Sequence, residues 1–341
     1  MYFYLIGIDY KKAPLDIRED VFRKREEVNN FLKQRMPGQT ALLSTCNRVE
    51  LYAFAQQTSE ALENIKEFIM RFPVFLNYGY VKCAEREVLQ HALRLACGLE
   101  SQNVGEQEIA LQLHSWIGQE GFPPFLRKIW IRILAESLRI RRASGLHDKH
   151  ITIAQIIKEE LLRNQQQYPI RNVVVIGTGK VAQLFAQCGS GEFELFFVSR
   201  KKHKRALALA AMAEASVIEY EALPSFLRVA DALISATSSP HYILKKDMLA
   251  ALMRERKRPL LIYDLALPRD VEPQARTIPG VTVNDLDSLV RLLEGRNAVL
   301  APYVRKAGAL IEDFINELFF KEGCYVYQGR NTAECIGAKT I

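Results

Sequence analysis

Chemistry is concentrated first in the run Leu42-Leu43-Ser44-Thr45-Cys46-Asn47-Arg48-Val49-Glu50-Leu51-Tyr52. A cysteine attacks carbon as thiolate, and a nearby guanidinium favours that form. Cys46, with Arg48 two residues on, is therefore a candidate nucleophile, and Arg48 is expected to promote its ionisation. The alternative is a small buried hydrophobe, the commoner state of a free cysteine.

A second run carries different chemistry. The short apolar strand Asn172-Val173-Val174-Val175-Ile176 leads directly into Gly177-Thr178-Gly179-Lys180-Val181-Ala182, a G-x-G-x-x-A turn opening a helix. The first glycine permits the tight turn, the second lets the backbone approach a pyrophosphate, and the small last residue lets the helix pack closely. The helix N-terminus then offers its unpaired N–H groups to phosphate. NAD enzymes keep an acidic residue about 20 residues further on for the ribose 2′-hydroxyl. Here Ser199-Arg200-Lys201-Lys202 follows Phe197-Val198 instead. A hydroxyl and a planar cation suit a 2′-phosphate, so Ser199, Arg200 and Lys201 predict NADPH. The alternative is a glycine-rich turn with a solvated basic helix start.

His91 lies beside Ala92 and Leu93 in a helical segment. It is either a structural histidine or the imidazole partner that a thiol nucleophile commonly uses. His114, His147, His150, His203 and His241, and the cysteines at 46, 83, 97, 188, 324 and 335, show no metal-ligand spacing. No metal is expected.

Several elements must position these groups. Tyr4–Asp9 reads as a strand, Arg18–Arg35 as a helix, Ala41–Ser44 as the lead into a loop, and Val49–Phe54 as a strand. Helices are expected over Glu60–Phe72, Glu85–Cys97 and Pro124–Arg142, where apolar positions recur at helical spacing. Apolar strands then recur at 172–176, 195–198, 232–235 and 260–263 with helices between, which implies a parallel sheet covered on both faces. The expected class is α/β multidomain. An N-terminal α+β catalytic domain (1–146) leads through a connecting helix and linker (147–167) to a Rossmann-like NADPH domain (168–286). A helical C-terminal region with a polar tail (287–341) follows, interrupted at Pro302.

With 49% apolar residues the chain can bury a sizeable core, and no apolar run reaches the ~18 residues of a membrane helix. A cytoplasmic protein that does not engage membranes is expected. The net charge of +7 favours a polyanionic partner. On Pro124–Arg142, Lys128, Arg132, Arg139 and Arg142 fall within an arc of about 80°. That stripe is a solvated face or a phosphate contact.

The segment S-T-C-N-R-V-E-L-Y resembles the active-site segment of bacterial and plant glutamyl-tRNA reductases. Other runs agree in order. Gly7-Ile8-Asp9-Tyr10-Lys11-Lys12-Ala13-Pro14 is similar to the family's opening. Gly98-Leu99-Glu100-Ser101 with Gly105-Glu106 is similar to its G-L-[DE]-S…G-E signature. Ala236-Thr237-Ser238-Ser239-Pro240 and Asp264-Leu265-Ala266-Leu267-Pro268-Arg269-Asp270 resemble its cofactor-domain segments. The resemblance spans roughly residues 5–320 and implies a reaction. Cys46 attacks the ester joining glutamate to tRNA, a thioester forms, and NADPH reduces it to glutamate-1-semialdehyde, the first step of tetrapyrrole synthesis by the five-carbon route.

The same resemblance implies roles. Thr45, Asn47 and Arg48 hold the glutamyl group, with Ser101, Glu106, Gln107, Glu108 and Gln112 completing the pocket and Glu106 facing the substrate ammonium. His91 polarises the ester or protonates the leaving group. The implied partners are glutamyl-tRNA, the following glutamate-1-semialdehyde aminomutase, and a second copy of the chain in a homodimer. The sequence departs from the family at Tyr10, usually histidine, at Gln107 and Glu108, usually proline and glutamine, and at Leu111, usually glycine. Its C-terminal region is also abbreviated, which implies a weaker or differently built dimer. Two rivals share the cofactor module: a dehydrogenase related to shikimate dehydrogenase, and a tRNA-binding regulator that never consumes NADPH.

Overall fold

The computed structural model describes residues 2–199 and 204–321. Among the described residues two compact units form, one from residues 2–150 with 294–321 and the other from the described part of 151–293. The second unit thus takes in the expected connecting helix, observed at Ile153–Asn164. The C-terminal helix Leu289–Lys321 runs on through Pro302. Its Ala307, Ile311 and Ile315 are fully buried in the core of the first unit, so from residue 294 the chain packs as part of that unit.

The first unit is built on an antiparallel sheet of order β2-β3-β1-β4, with β1 Tyr2–Asp9, β2 Thr40–Ser44, β3 Arg48–Ala55 and β4 Gly79–Lys82. The stretch read as a lead into a loop is the edge strand β2, a full partner of β3. The expected helix over 18–35 is two helices, Leu15–Arg23 and Arg25–Arg35, parted at Lys24. Side chains alternate across the sheet, and both faces are covered. Tyr4, Ile6, Ile8, Val49 and Leu51 pack under the helices before β2 and after β3. The opposite face carries Phe3, Leu5 and Tyr52, covered by the helices Glu85–Ala96 and Pro124–Ser144. Beyond these apolar residues it continues as Gly7, Asp9, Arg48 and Glu50, so a polar row runs under a helix.

The second unit is a parallel sheet of order β10-β9-β8-β5-β6-β7: β5 Asn172–Ile176, β6 Glu194–Ser199, β7 Ser216–Glu219, β8 Ala232–Ser235, β9 Leu260–Asp264 and β10 Val281–Asp285. Read from β5 outward, this is the 3-2-1-4-5-6 order of dinucleotide-binding folds. The order reverses beside β5, and ligands bind outside the carboxyl ends of the strands at such a point.

Candidate active site

Cys46 sits at the tip of the β2–β3 hairpin. Ser44 pairs with Val49 and the Thr45 amide donates to the Arg48 carbonyl (2.9 Å), which leaves Cys46 and Asn47 to turn the chain. Thr45 Oγ1 accepts from the Asn47 amide (3.2 Å), the local bond by which a threonine side chain stabilises a turn. The tip is also anchored from β1 and the helix after it. The Tyr10 amide donates to the Asn47 carbonyl (2.9 Å), and Arg18 Nη1 donates to the Cys46 carbonyl (2.9 Å). Cys46 is half-buried and its thiol is free. Asn47 Oδ1 is buried without a hydrogen-bond partner among the described residues.

Beneath the tip lies a buried carboxylate, Glu50. It accepts from Arg48 Nη1 (2.8 Å), Tyr52 Oη (2.7 Å) and Tyr80 Oη (2.6 Å), and His91 Nε2 lies 2.9 Å from it. Burial alone would raise its pKa, but the charges of His91 and Arg48 and the bonds from His91 and Tyr80 outweigh burial, and Glu50 stays far below the usual carboxylate range. Gly7 is needed for this arrangement, because a Cβ there would stand 2.6 Å from the Tyr80 ring.

The loop after Glu85–Ala96 supplies the rest. Gly98, at φ +76°, lets the loop fold onto itself, with the Gly105 amide on the Gly98 carbonyl (3.0 Å). Arg141 ties it from below, donating to the carbonyls of Cys97 (2.8 Å), Gly105 (2.8 Å) and Glu106 (3.0 Å). Sequence reading missed Arg141. The available signal was its place three helical turns after Trp130, on the buried face.

The Arg48 charge favours the Cys46 thiolate, as expected, but it is outweighed. The Arg48 side chain is only 1% exposed, with its guanidinium turned inward to Glu50 and the Glu100 carbonyl. Burial first, and then the Glu106 carboxylate, push the Cys46 thiol up to about 11, outweighing Arg18 and Arg48. Glu106 is itself raised to about 7 by burial and by Glu108, against the Ser101 bond and the Arg48 and Arg141 charges.

Thr45, Cys46, Asn47, Arg48, Ser101 and Glu106 thus converge on one region. His91 joins it through Glu50, and its other ring nitrogen makes no hydrogen bond among the described residues. Gln107 stands just before the helix Glu108–Ile117 without a side-chain capping bond, and Glu108 Oε1 lies 4.0 Å from His150 Nε2. Gln112 is solvent-exposed on that helix, as is Leu111.

In the second unit, Gly177 adopts φ +113°, and a Cβ there would meet the Ala236 carbonyl oxygen at 2.5 Å. A Cβ on Gly179 would meet nothing within 4 Å, and Ala182 is buried against the sheet. Lys180 is exposed and Val181 half-buried at the helix start. A cavity of about 640 Å³ opens at the ends of β5, β6 and β8, with Gly177, Thr178 and Ser199 in its wall. Arg200 and Lys201 lie outside the described residues. Arg205, Tyr220 and His241 also line the cavity and were not foreseen. The β8 loop in its wall is pinned by buried Asp270, which accepts from Ser235 Oγ (2.7 Å), Thr237 Oγ1 (2.6 Å) and the Thr237 amide (3.0 Å). Room beside Gly179 and a hydroxyl rather than a carboxylate at the end of β6 fit a phosphorylated dinucleotide. Among the described residues no cluster could hold a metal ion, and no helix is long and apolar enough to cross a membrane.

Residues 6–122 match the family described as glutamyl-tRNA(Glu) reductase, N-terminal domain, and residues 159–292 match shikimate/quinate 5-dehydrogenase. Among curated proteins, the glutamyl-tRNA reductase of Methanothrix thermoacetophila is 30% identical over 96% of this chain and 78% of its own length. That of Desulfatibacillum aliphaticivorans is 30% identical over 85% and 70%. Among solved structures, the glutamyl-tRNA reductase from Methanopyrus kandleri is 25% identical, covering 94% of this chain and 80% of its own, with a TM-score of 0.49.

Proposed function

Because the chain belongs to the glutamyl-tRNA reductase family, we propose that it reduces glutamyl-tRNA to glutamate-1-semialdehyde with NADPH, through a thioester on Cys46. The observation that carries the Cys46 assignment is its placement: a free thiol on a half-buried residue of a turn fixed from three elements, beside Glu106 and above the Glu50 network.

The resting thiol is protonated, so activation belongs to the substrate complex. The α-ammonium of the glutamyl group pairs with Glu106, cancelling the carboxylate charge that raises Cys46 and bringing a positive charge near the sulfur. Sγ then attacks the ester carbon, the bond to the tRNA ribose oxygen breaks, and the thiol's proton ends on that oxygen. His91, oriented by Glu50 and with one ring nitrogen unpartnered, is suited to return it. When bound, NADPH would supply the hydride that reduces the Cys46-bound acyl group to a hemithioacetal. Collapse of that adduct would expel the Cys46 thiolate and release the aldehyde. In this geometry Arg48 orients the pocket through Glu50 and the Glu100 carbonyl.

Lys128, Arg132, Arg139 and Arg142 are all exposed on the helix Pro124–Ser144 and suit the tRNA phosphates. Arg139 is shared with Glu136 at 2.6 Å. We assign the enzyme to the cytoplasm and expect a homodimer. The aminomutase that follows is the natural recipient of a reactive amino aldehyde.

The test is NADPH oxidation with glutamyl-tRNA, comparing wild type with Cys46→Ser. Loss of activity in the variant, with glutamate-1-semialdehyde as the wild-type product, is the expected result. Equal consumption in both removes Cys46 from the mechanism, and binding without consumption in wild type turns the protein into a regulator.

A further inference from the structure

A second cavity, of about 440 Å³, opens in the first unit under the β4 edge of the sheet. Its floor is His91 and Tyr80, and its wall includes Asp9 and Glu100. Asp9 is the register partner of Arg48 on β3. At about 3.4 Å per residue, the wall therefore lies within a few residues' reach of Cys46. This volume is in the range of small-molecule sites, roughly 300–1,000 Å³, and larger than a glutamyl side chain needs.

The lining is chemically mixed in an informative way. The Tyr80 ring is held rigidly, its hydroxyl on Glu50 at 2.6 Å and its ring lying over Gly7. Lys12 Nζ lies 5.7 Å from the ring centroid. Lys12 and Lys82 have no ion-pair partner among the described residues, nor has Glu87. By contrast Glu100 is neutralised by Lys11 and by Arg94 (2.5 Å). Beside the Tyr80 ring, the groups without an ion-pair partner among the described residues are thus two cations, Lys12 (its Nζ 3.4 Å from the Gly79 carbonyl) and Lys82, and two carboxylates, Glu87 and Asp9, which accepts from the Lys11 amide (3.0 Å). These include the contacts a purine nucleotide asks for: a ring to lie against, cations for phosphate, and an acceptor for an exocyclic amine.

We propose that this cavity receives the 3′-terminal adenosine of the tRNA, with Lys12 and Lys82 on the backbone phosphate and Tyr80 beside the base. The inference rests on glutamyl-tRNA being the substrate. It places the departing ribose oxygen on the His91 side of Cys46, where a proton can be returned to it.

Three substrates separate the possibilities: glutamyl-tRNA, a CCA trinucleotide carrying a 3′-glutamyl ester, and glutamate α-ethyl ester, which has no nucleotide. For Lys12→Ala combined with Lys82→Ala, kcat/KM on tRNA and on the trinucleotide should each fall about tenfold further than on the ethyl ester, the scale expected from losing two phosphate contacts. An equal fall on all three overturns the proposal, because the lysines then serve the chemistry or the fold. A fall confined to intact tRNA also overturns it, placing the lysines on the tRNA body. Calorimetric binding of uncharged CCA trinucleotide reads the cavity independently of turnover. Wild-type binding that weakens in the variant supports the subsite even if no NADPH is consumed, and absence of wild-type binding refutes it.

Discussion

Replacing Glu50 with glutamine keeps the shape of the side chain and removes its charge. Glu50 is 0% exposed and Arg48 1% exposed at the side chain, and their 2.8 Å contact is closed from water. Removing one partner of such a pair leaves the other charge buried without compensation, at a cost of roughly 3–5 kcal/mol. Whole domains are stable by only about 5–15 kcal/mol, so the variant should be severely weakened. Both tryptophans, Trp116 and Trp130, are buried in the first unit. Urea unfolding followed by tryptophan fluorescence therefore reports that unit alone.

The effect has a defined pH dependence. The Glu50 carboxyl is held below its unfolded value of about 4.3. Its contribution is complete above that value and is lost as pH falls toward the depressed folded value. The difference between wild type and Glu50→Gln should accordingly be flat from about pH 5.5 to 8 and shrink in acid. Substituting both partners, Arg48→Met with Glu50→Leu, should recover part of the loss, because neither charge is then buried. A loss below about 1 kcal/mol for Glu50→Gln, the range of an exposed pair, would refute the reasoning.

Two further outcomes follow from the site geometry. Alkylation of Cys46 by iodoacetamide should be slow at neutral pH and rise toward pH 11. Glu106→Gln removes a carboxylate that raises the thiol and should speed alkylation at pH 8; an unchanged rate–pH profile would show that Glu106 does not act on the sulfur. Gly177→Ala should weaken NADPH binding at least tenfold, since its Cβ would strike the Ala236 carbonyl at 2.5 Å in a backbone conformation that disfavours side chains. Fluorescence titration with NADPH checks this, and wild-type affinity would mean that the turn can move.

Much of the second unit was legible because its signals are local. A continuous apolar strand, a glycine turn and a helix occupy adjacent positions, and each constrains the next. What escaped there was Arg205, Tyr220 and His241, which reach the cavity from three other segments of the chain. The first unit was legible in its motifs but less so in its contacts. Its loop Gly98–Glu106 carried recognisable residues, whereas the group that holds it, Arg141, comes from a helix whose exposed cations drew attention away from the buried one.

Arg48 shows why nearness in sequence overstates an effect on the thiol. Cys46 occupies a turn, where successive side chains diverge, whereas Arg48 is the first residue of β3. From there the period of a strand is two, so Arg48 shares a face with Glu50 and Tyr52 rather than with the hairpin tip. That face is covered by the helix bearing His91. A row of arginine, glutamate and tyrosine at alternate positions on a covered strand face can persist only if its members bond one another. The alternation Arg48-x-Glu50-x-Tyr52 already contained that requirement. What it could not contain is the fourth partner, Tyr80, which depends on β4 pairing with β1 at Gly7. The ionisation of Cys46 is consequently governed by burial and by Glu106, a residue from a distant loop. In the reaction proposed above, such a thiol would stay protonated until the substrate ammonium neutralises that carboxylate.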